Sequence, residues 1–292
     1  MRLGVDLGGT KTEIIALDDD GGELLRRRVA TPRGDYAATV ATIATLVRDV
    51  ENELGRAGTV GIGIPGAESR VTGLIKNANS TWLIGEPFRR DLEAALRREV
   101  RIENDANCFA LSEATDGAAA GAEIVFGVIL GTGVGGGIVV RGRVLVGANA
   151  IAGEWGHNPM PDEADRPDCY CGRPGCIETY LSGPGLERDA RVSLGGTPCA
   201  EDVVAEAAAG DAASEAVVAR YERRLAKALA LVVNIVDPDV VVLGGGLSNI
   251  DRLYDNVPKL WHAHVFSDHV ATRLLKNRHG DSSGVRGAAW LW

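Results

Sequence analysis

"RLGVDLGGTKTEIIAL" (residues 2–17) is two apolar runs broken by a polar, glycine-rich turn. Runs of this length, bounded by turn residues, predict strands over 2–7 and 12–17 joined by "GGTK". "DDDGG" (18–22) then turns the chain into a third strand near 23–31. The same order restarts at "IVFGVILGTGVGGGIVV" (124–140), which predicts strands over 124–130 and 137–140 about a second Gly-Thr turn, with "RVLVG" as a third strand. After the first set come an amphipathic helix from about Asp35 to Leu54, a buried strand "TVGIGI" (59–64), a helix opened by Pro87, a short strand "VRIE" (100–103) and a helix starting near Asp105. After the second come helices over much of 201–236, a strand in "DVVVLGGG" (239–246) and a helix in "NIDRLYDNVPKLW". A repeat of this kind predicts two related α/β lobes facing each other across a cleft. The expected division is 1–118 plus about 280–292 for the first lobe and 119–279 for the second. A last helix near Ser283 to Trp292 is too short to stand alone and is expected to pack back on the first lobe.

The chain has 292 residues, 45% hydrophobic and 24% charged, enough for one large core or two smaller ones. Glycine is the outlier at 38 residues, against a usual share of about 7%. Many glycines follow apolar runs, which suggests backbone that approaches a ligand closely. The net charge of −9, with no basic stripe beyond Arg26-Arg27-Arg28, argues against nucleic acid as a main partner. No stretch reads as a signal peptide or a bilayer span, so no membrane partner is expected. Five cysteines is an odd count, which favours reduced thiols in the cytoplasm.

"DLGGTK" (6–11) places free N–H groups where they can point at phosphate oxygens with no Cβ in the way. Asp6, at the strand end, is placed to hold a hydrated magnesium ion; an ordinary glycine-rich hairpin is the alternative. "GTGVGG" (131–136) has the same form, with the Thr132 hydroxyl as a donor. Residues 61–66 and 131–136 both match G-x-G-x-x-G, but neither is followed by a helix, so a dinucleotide site is rejected at both. "VVVLGGGLSN" (240–249) runs strand, turn, helix, and either seats an adenosine or is an ordinary turn.

"IENDANC" (102–108) puts Asn104 and Asp105 at the end of a buried strand. Both types are favoured helix caps; a carboxylate there could also accept the proton of a hydroxyl attacking a γ-phosphate. "GEWGH" (153–157) offers Glu154 and His157, and "CIETY" (176–180) offers Glu178. Between them lies "CYCGRPGC" (169–176), three of the five cysteines. Three thiolates need a fourth ligand. His262, His264, His269 and His279 lie far along the chain, and only His157 is near. A Cys3His zinc site is the natural expectation, ahead of idle thiols or an iron–sulfur cluster. Gly172 and Gly175 would let the loop wrap the ion, and "NPMPDEADRP" has too little apolar content to order itself.

These stretches together resemble the ROK sugar kinases: "DLGGTK", "GTGVGG", "ENDAN", "EWGH" and "CYCGRPGCIE" match nearly end to end. The resemblance implies an α/β, two-lobed, actin-like and ribonuclease H-like (ASKHA) fold, with ATP and sugar in the interlobe cleft. It implies Mg-ATP and transfer of the γ-phosphoryl group to the 6-hydroxyl of a hexose, with Asp105 as base. Asn104, Glu154, His157 and Glu178, with Gly66 and Asn79, match sugar-binding positions. Gly4, Val5, Asp6, Leu7, Gly8, Gly9, Thr10 and Lys11 match one ATP segment; Thr132, Gly133, Val134, Gly135, Gly136 and Gly137 match another; Gly244, Gly245 and Gly246 form a third. His157, Cys169, Cys171 and Cys176 match the zinc ligands, in the loop 157–176. A homodimer is expected by the same resemblance. "IKNANSTW" (75–82) and "HGDSSGVRGAAWLW" (279–292) look most like the fructokinases of the family, which points to fructose, with mannose, glucose or an N-acyl hexosamine as alternatives. Some family members are repressors with an N-terminal helix-turn-helix, whereas this chain opens on its first strand. A sugar sensor without catalysis is a further alternative, against which Asp105 and both phosphate turns argue.

Overall fold

The computed structural model describes residues 1–292, the side chain of residue 281 excepted. Two compact units form. The first comprises Met1–Gly121, Gly137–Ala152 and Arg278–Trp292; the second comprises Ala122–Gly136 and Gly153–Asn277. The segment 137–152 thus groups with the first unit, where the sequence-based boundary had left 119–279 in one piece.

The strands are β1 (Arg2–Leu7), β2 (Lys11–Leu17), β3 (Glu23–Ala30), β4 (Thr59–Ile64), β5 (Ala67–Glu68), β6 (Ile75–Lys76), β7 (Arg101–Asn104), β8 (Ile124–Leu130), β9 (Val134–Val140), β10 (Arg143–Val144), β11 (Val240–Gly244) and β12 (Arg273–Lys276). One sheet runs β3-β2-β1-β4-β7 and the other β10-β9-β8-β11-β12. The two orders are the same, which is the internal repeat seen in the sequence. In the first sheet β1, β2 and β3 are antiparallel neighbours, while β4 lies parallel to both β1 and β7. In the second, β11 lies parallel to β8 and β12. β9 starts at Val134, inside the stretch expected to be turn, and β10 covers only the first two residues of the expected third strand, after a turn in which Arg141 and Gly142 take positive φ.

The helices are α1 (Tyr36–Leu54), α2 (Phe88–Leu96), α3 (Asp105–Thr115), α4 (Glu178–Leu181), α5 (Gly183–Leu194), α6 (Ala200–Ala208), α7 (Ala212–Val236), α8 (Arg252–Trp261) and α9 (Ser283–Ala289). Asp35 caps α1 by accepting from the Ala38 N–H, which meets one of the donors a helix start leaves unpaired. α2 stops earlier than its sequence pattern suggested because Arg97 adopts φ 54. In the first unit Leu3, Val5, Ile14, Ile43, Val47, Ile62 and Phe88 form one buried cluster under α1 and α2. α9 packs on β1, β2, β4 and α3. Its entry is fixed by Glu113, fully buried, whose carboxylate accepts from Ser283 Oγ at 2.7 Å, Arg278 N at 3.1 Å and Ala118 N at 2.8 Å. No described helix is long and apolar enough to cross a membrane.

Candidate active site

Parallel pairing brings the ends of β1, β4 and β7 to one edge of the first sheet, the edge at which open α/β sheets hold ligands. Asp6 pairs with Gly63, and Ile64 with Asn104. A Cβ at Gly63 would lie 3.3 Å from Cys108 Sγ and 3.5 Å from Asp6 Oδ1, so its absence leaves room for the acid. Burial first, and then the charges of Asp105 and Glu13 against the opposing Arg28, raise the Asp6 carboxyl from 3.8 to about 7. Asp6 and Asp105 therefore share one electrostatic neighbourhood. The buried Cys108 thiol beside them is pushed well above its usual range by burial and by Glu103, Asp6 and Asp105, which keeps it neutral.

Asn104, not Asp105, caps α3. Its Oδ1 accepts from Ala106 N at 3.0 Å and Asn107 N at 3.3 Å, and its Nδ2 donates to Gly66 O at 3.3 Å. Asp105 is the first helical residue, with Oδ1 accepting from Ala106 N at 2.8 Å. Gly66 has no room for a side chain, since a Cβ would meet Ala78 Cβ at 2.8 Å. Asn79 is exposed, and its N–H donates to Pro65 O at 3.2 Å. The Gly8–Lys11 turn is closed by Gly8 N–H to Lys11 O at 3.0 Å, and the Thr31 hydroxyl donates to Gly8 O at 2.9 Å. Gly9 and Thr10 are exposed, and a Cβ at Gly9 would meet nothing within 4 Å.

In the second unit the Gly131–Gly136 turn is packed against protein on one side, with Thr132 exposed. Glu178, the first residue of α4, accepts from Val134 N at 2.9 Å. A Cβ at Gly133 would sit 2.7 Å from Glu178 Oε2, and one at Gly136 would strike Trp155 at 2.6 Å. Gly183 N donates to Gly131 O at 2.8 Å. In the first unit, a Cβ at Gly137 would meet Ala106 O at 2.5 Å. At Gly133, Gly136 and Gly137 a side chain would meet protein, a packing requirement that stands beside the close ligand approach expected from the sequence. The Gly244–Gly246 turn leads into a 3-10 turn over Gly246–Asn249 before α8, so no α-helix starts directly at it. Gly245 there takes φ 81, with its missing Cβ directed at the Leu130 carbonyl.

The ligand atoms of His157, Cys169, Cys171 and Cys176 all lie within 4.8 Å of one another. Cys171 Sγ is 3.5 Å from Cys176 Sγ, and Cys169 Sγ is 3.6 Å from His157 Nδ1. Tetrahedral zinc with bonds of about 2.0–2.3 Å needs neighbouring ligand atoms roughly 3.5–3.8 Å apart, so the donor set fits that ion. Gly172 and Gly175 take φ 84 and φ 76, the left-handed turns that fold the knuckle. Hydrogen bonds from the Arg173 backbone lower the Cys171 thiol to about 6, favouring one thiolate before any metal arrives.

Tyr170 escaped the sequence reading. Its hydroxyl lies 3.0 Å from His157 Nε2, the nitrogen expected to face a sugar. Shielding of the hydroxyl, and then the charges of Glu178, Cys169 and Glu154, push the phenol up to about 12. His157 thus touches one exposed aromatic residue, which the charges of Glu154 and Glu178 also reach. Also unforeseen were the anchors of the 157–176 loop. Arg224 of α7 donates to both Glu163 oxygens at 3.1 and 2.9 Å, and Tyr180 OH donates to Asp165 O.

The chain matches the ROK family over residues 2–292. The chain belongs to the ROK family. Among its relatives, the N-acetyl-D-glucosamine kinase of Vibrio cholerae is 44% identical, over 100% of this chain and 99% of that protein. The crystal structure of a ROK hexokinase from Thermus thermophilus superposes with a TM-score of 0.89 at 34% identity, covering 99% of this chain and 96% of that one. A ROK-family glucokinase from Streptomyces griseus, in complex with glucose and AMPPNP, superposes at 0.80 with 28% identity over 99% and 98%. The actin-like α/β fold expected from the sequence is the fold of this ROK chain, and its place in the family is with the sugar kinases.

Proposed function

We propose that this ROK-family sugar kinase transfers the γ-phosphoryl group of ATP to the 6-hydroxyl of N-acetyl-D-glucosamine. The observation that carries the sugar is the end-to-end relation, at 44% identity, to a kinase named for that substrate. Fructose, suggested by two stretches, is not supported. "HGDSSGVRGAAWLW" has a packing reason for its composition: α9 lies against β1, β4 and α3, and His279 binds Asp116. It therefore says little about the sugar. In "IKNANSTW", Ala78 packs on Gly66 and the Asn79 backbone binds Pro65.

In this reading the Asp105 carboxylate accepts the proton of the 6-hydroxyl as that oxygen bonds to the γ-phosphorus. ADP leaves with the electron pair of the broken O–P bond. Asn104 holds the start of α3, and so the position of Asp105, by capping it. Glu154, His157 and Glu178 take the sugar hydroxyls. The Gly8–Lys11 and Gly131–Gly136 turns offer N–H groups to phosphate oxygens. Magnesium arriving with ATP supplies positive charge at the phosphates, and Asp6 is the carboxylate beside which it would sit. Zinc held by His157, Cys169, Cys171 and Cys176 would be structural, since four protein ligands leave no open position. The three thiols are unpaired, which suits the cytoplasm.

An ADP-release assay over N-acetylglucosamine, glucose, mannose and fructose tests the reading. The highest kcat/KM is expected on N-acetylglucosamine; a higher value on fructose or glucose would overturn it.

A further inference from the structure

The Gly131–Gly136 stretch joins β8 to the start of β9 and carries one turn bond, Gly131 N to Gly133 O at 3.0 Å. It also rests on the two segments flanking the cysteine–histidine cluster. On the upstream side, just before His157, Trp155 fills the space a Gly136 side chain would need, and Gly156 lies against the Val134 carbonyl. On the downstream side, two residues after Cys176, the Glu178 carboxylate takes the Val134 N–H at 2.9 Å. Gly183, at the start of α5, donates to Gly131 O.

Gly133 shows how tightly Glu178 and the turn are fitted. Its φ is not positive, so an alanine could adopt the backbone there. The obstacle is Glu178 Oε2, 2.7 Å from the missing Cβ, closer than such contacts occur. A Cβ at 133 would push the end of the Glu178 side chain away from its bond to Val134. A charge-assisted bond from a carboxylate to a backbone N–H is among the stronger ones a turn can have.

We infer that Glu178 is a positioning residue for the Gly131–Gly136 nucleotide turn, so that the segment bearing the cysteine–histidine cluster sets the nucleotide site as well as the hexose site. This rests on the reading of that turn as phosphate-binding. It follows that the hexose-recognition segment and the nucleotide turn answer to one carboxylate: whatever moves Glu178 moves both.

The test is calorimetric titration of the full chain with Mg-AMPPNP and, separately, with N-acetylglucosamine. Glu178→Ala is expected to weaken AMPPNP roughly tenfold, the scale of a lost bond to a charged group, besides weakening the hexose. Glu178→Gln keeps an amide oxygen for the Val134 N–H, so AMPPNP affinity is expected within about threefold of the parent while the hexose affinity falls. Gly133→Ala is expected to weaken AMPPNP roughly tenfold alone, but to add little in the Glu178→Ala background, because its clash partner is gone. That non-additivity is a readout that general destabilisation would not produce. Thr132→Asp, on an exposed residue, places a negative charge on the turn and reports whether nucleotide binds there at all. If Thr132→Asp leaves AMPPNP affinity unchanged, the turn is not the nucleotide site and the functional reading fails. If Thr132→Asp weakens AMPPNP while Glu178→Ala leaves it within twofold, the proposal alone is overturned. Should Glu178→Ala fail to fold, Gly133→Ala against Glu178→Gln decides: no change in AMPPNP affinity in the former overturns it.

Discussion

Asp6 and Asp105 are two carboxyls with different proposed tasks, and they differ in their surroundings. Asp105 opens α3 with its backbone position fixed by the Asn104 cap, so Asp105→Asn should preserve the helix and lose the proton acceptor. A fall in kcat of about 10²- to 10⁴-fold is expected, with hexose affinity little changed; steady-state kinetics and titration check it, and a kcat within a few-fold of the parent would reduce Asp105 to a helix residue. Asp6 has its folded-state carboxyl raised from 3.8 to about 7. The folded chain therefore holds a proton that the unfolded chain releases between those values. The stability this contributes is complete below about pH 4 and is lost as pH rises through 7. Asp6→Asn lacks that dependence. Its stability relative to the parent, without nucleotide, is expected to rise from pH 4 to 8, by something on the order of 4 kcal/mol. Urea unfolding at pH 5 and pH 8 measures the difference, and an unchanged gap would mean Asp6 ionises normally. A cost of this kind at neutral pH is what a site awaiting a cation would show.

At the scale of elements, the first unit closes by backbone meeting backbone. A Cβ at Gly4 would overlap the Val285 carbonyl, one at Gly61 the Ala288 carbonyl, and one at Gly287 the Cys108 carbonyl. At these three glycines helix α9 meets β1, β4 and α3 backbone to backbone. Gly61→Ala should destabilise the chain by about 3 kcal/mol or more, because peptide groups on both sides would have to move. Gly9→Ala, whose Cβ meets nothing, should cost under about 0.5 kcal/mol. Denaturant titration of both variants checks the contrast. The same glycines show where sequence reasoning stopped. An excess of glycine after apolar runs was read as backbone approaching a ligand, and that remains open at Gly9. At Gly4 and Gly61 the close partner is a helix more than two hundred residues away. Both causes require a missing Cβ, so one sequence cannot tell them apart. Strands and helices with strong periodicity were legible, and β10 lies inside the expected third strand of its repeat; the end of α2 was not, because the positive-φ turn at Arg97 leaves no compositional mark.

At the scale of the whole chain, the repeated strand order was legible because each half writes the same strand–turn–strand pattern. The sugar was not, because recognition of one substituent rests on contacts that no spacing encodes. The metal cluster was legible as a ligand set, but its consequences were not. The loop 157–176 read as polar and unable to order itself, with zinc as its only staple. The structure gives it further anchors: Arg224 to Glu163, Lys227 to Asp162 at 3.8 Å, and Tyr180 to Asp165. Arg224 and Glu163 are both largely buried, so this pair is screened less than a surface one. Metal loss should therefore open the ends of the loop and leave its middle attached to α7. The ends are the parts that matter for ligands, since His157 follows Glu154 and Trp155, and Cys176 precedes Glu178. Cys171→Ser removes the one exposed ligand and is least disruptive to the core. It should lower bound zinc from about one per chain and weaken N-acetylglucosamine binding by tenfold or more. It should also weaken AMPPNP through Glu178. Hydrogen exchange should show lost protection confined to 153–160 and 168–183, with β8 and β11 still protected, as expected for local opening. Exchange spreading through β8 and β11 would instead make the metal a requirement for folding of the second unit, and unchanged hexose binding in metal-free protein would remove its link to the site.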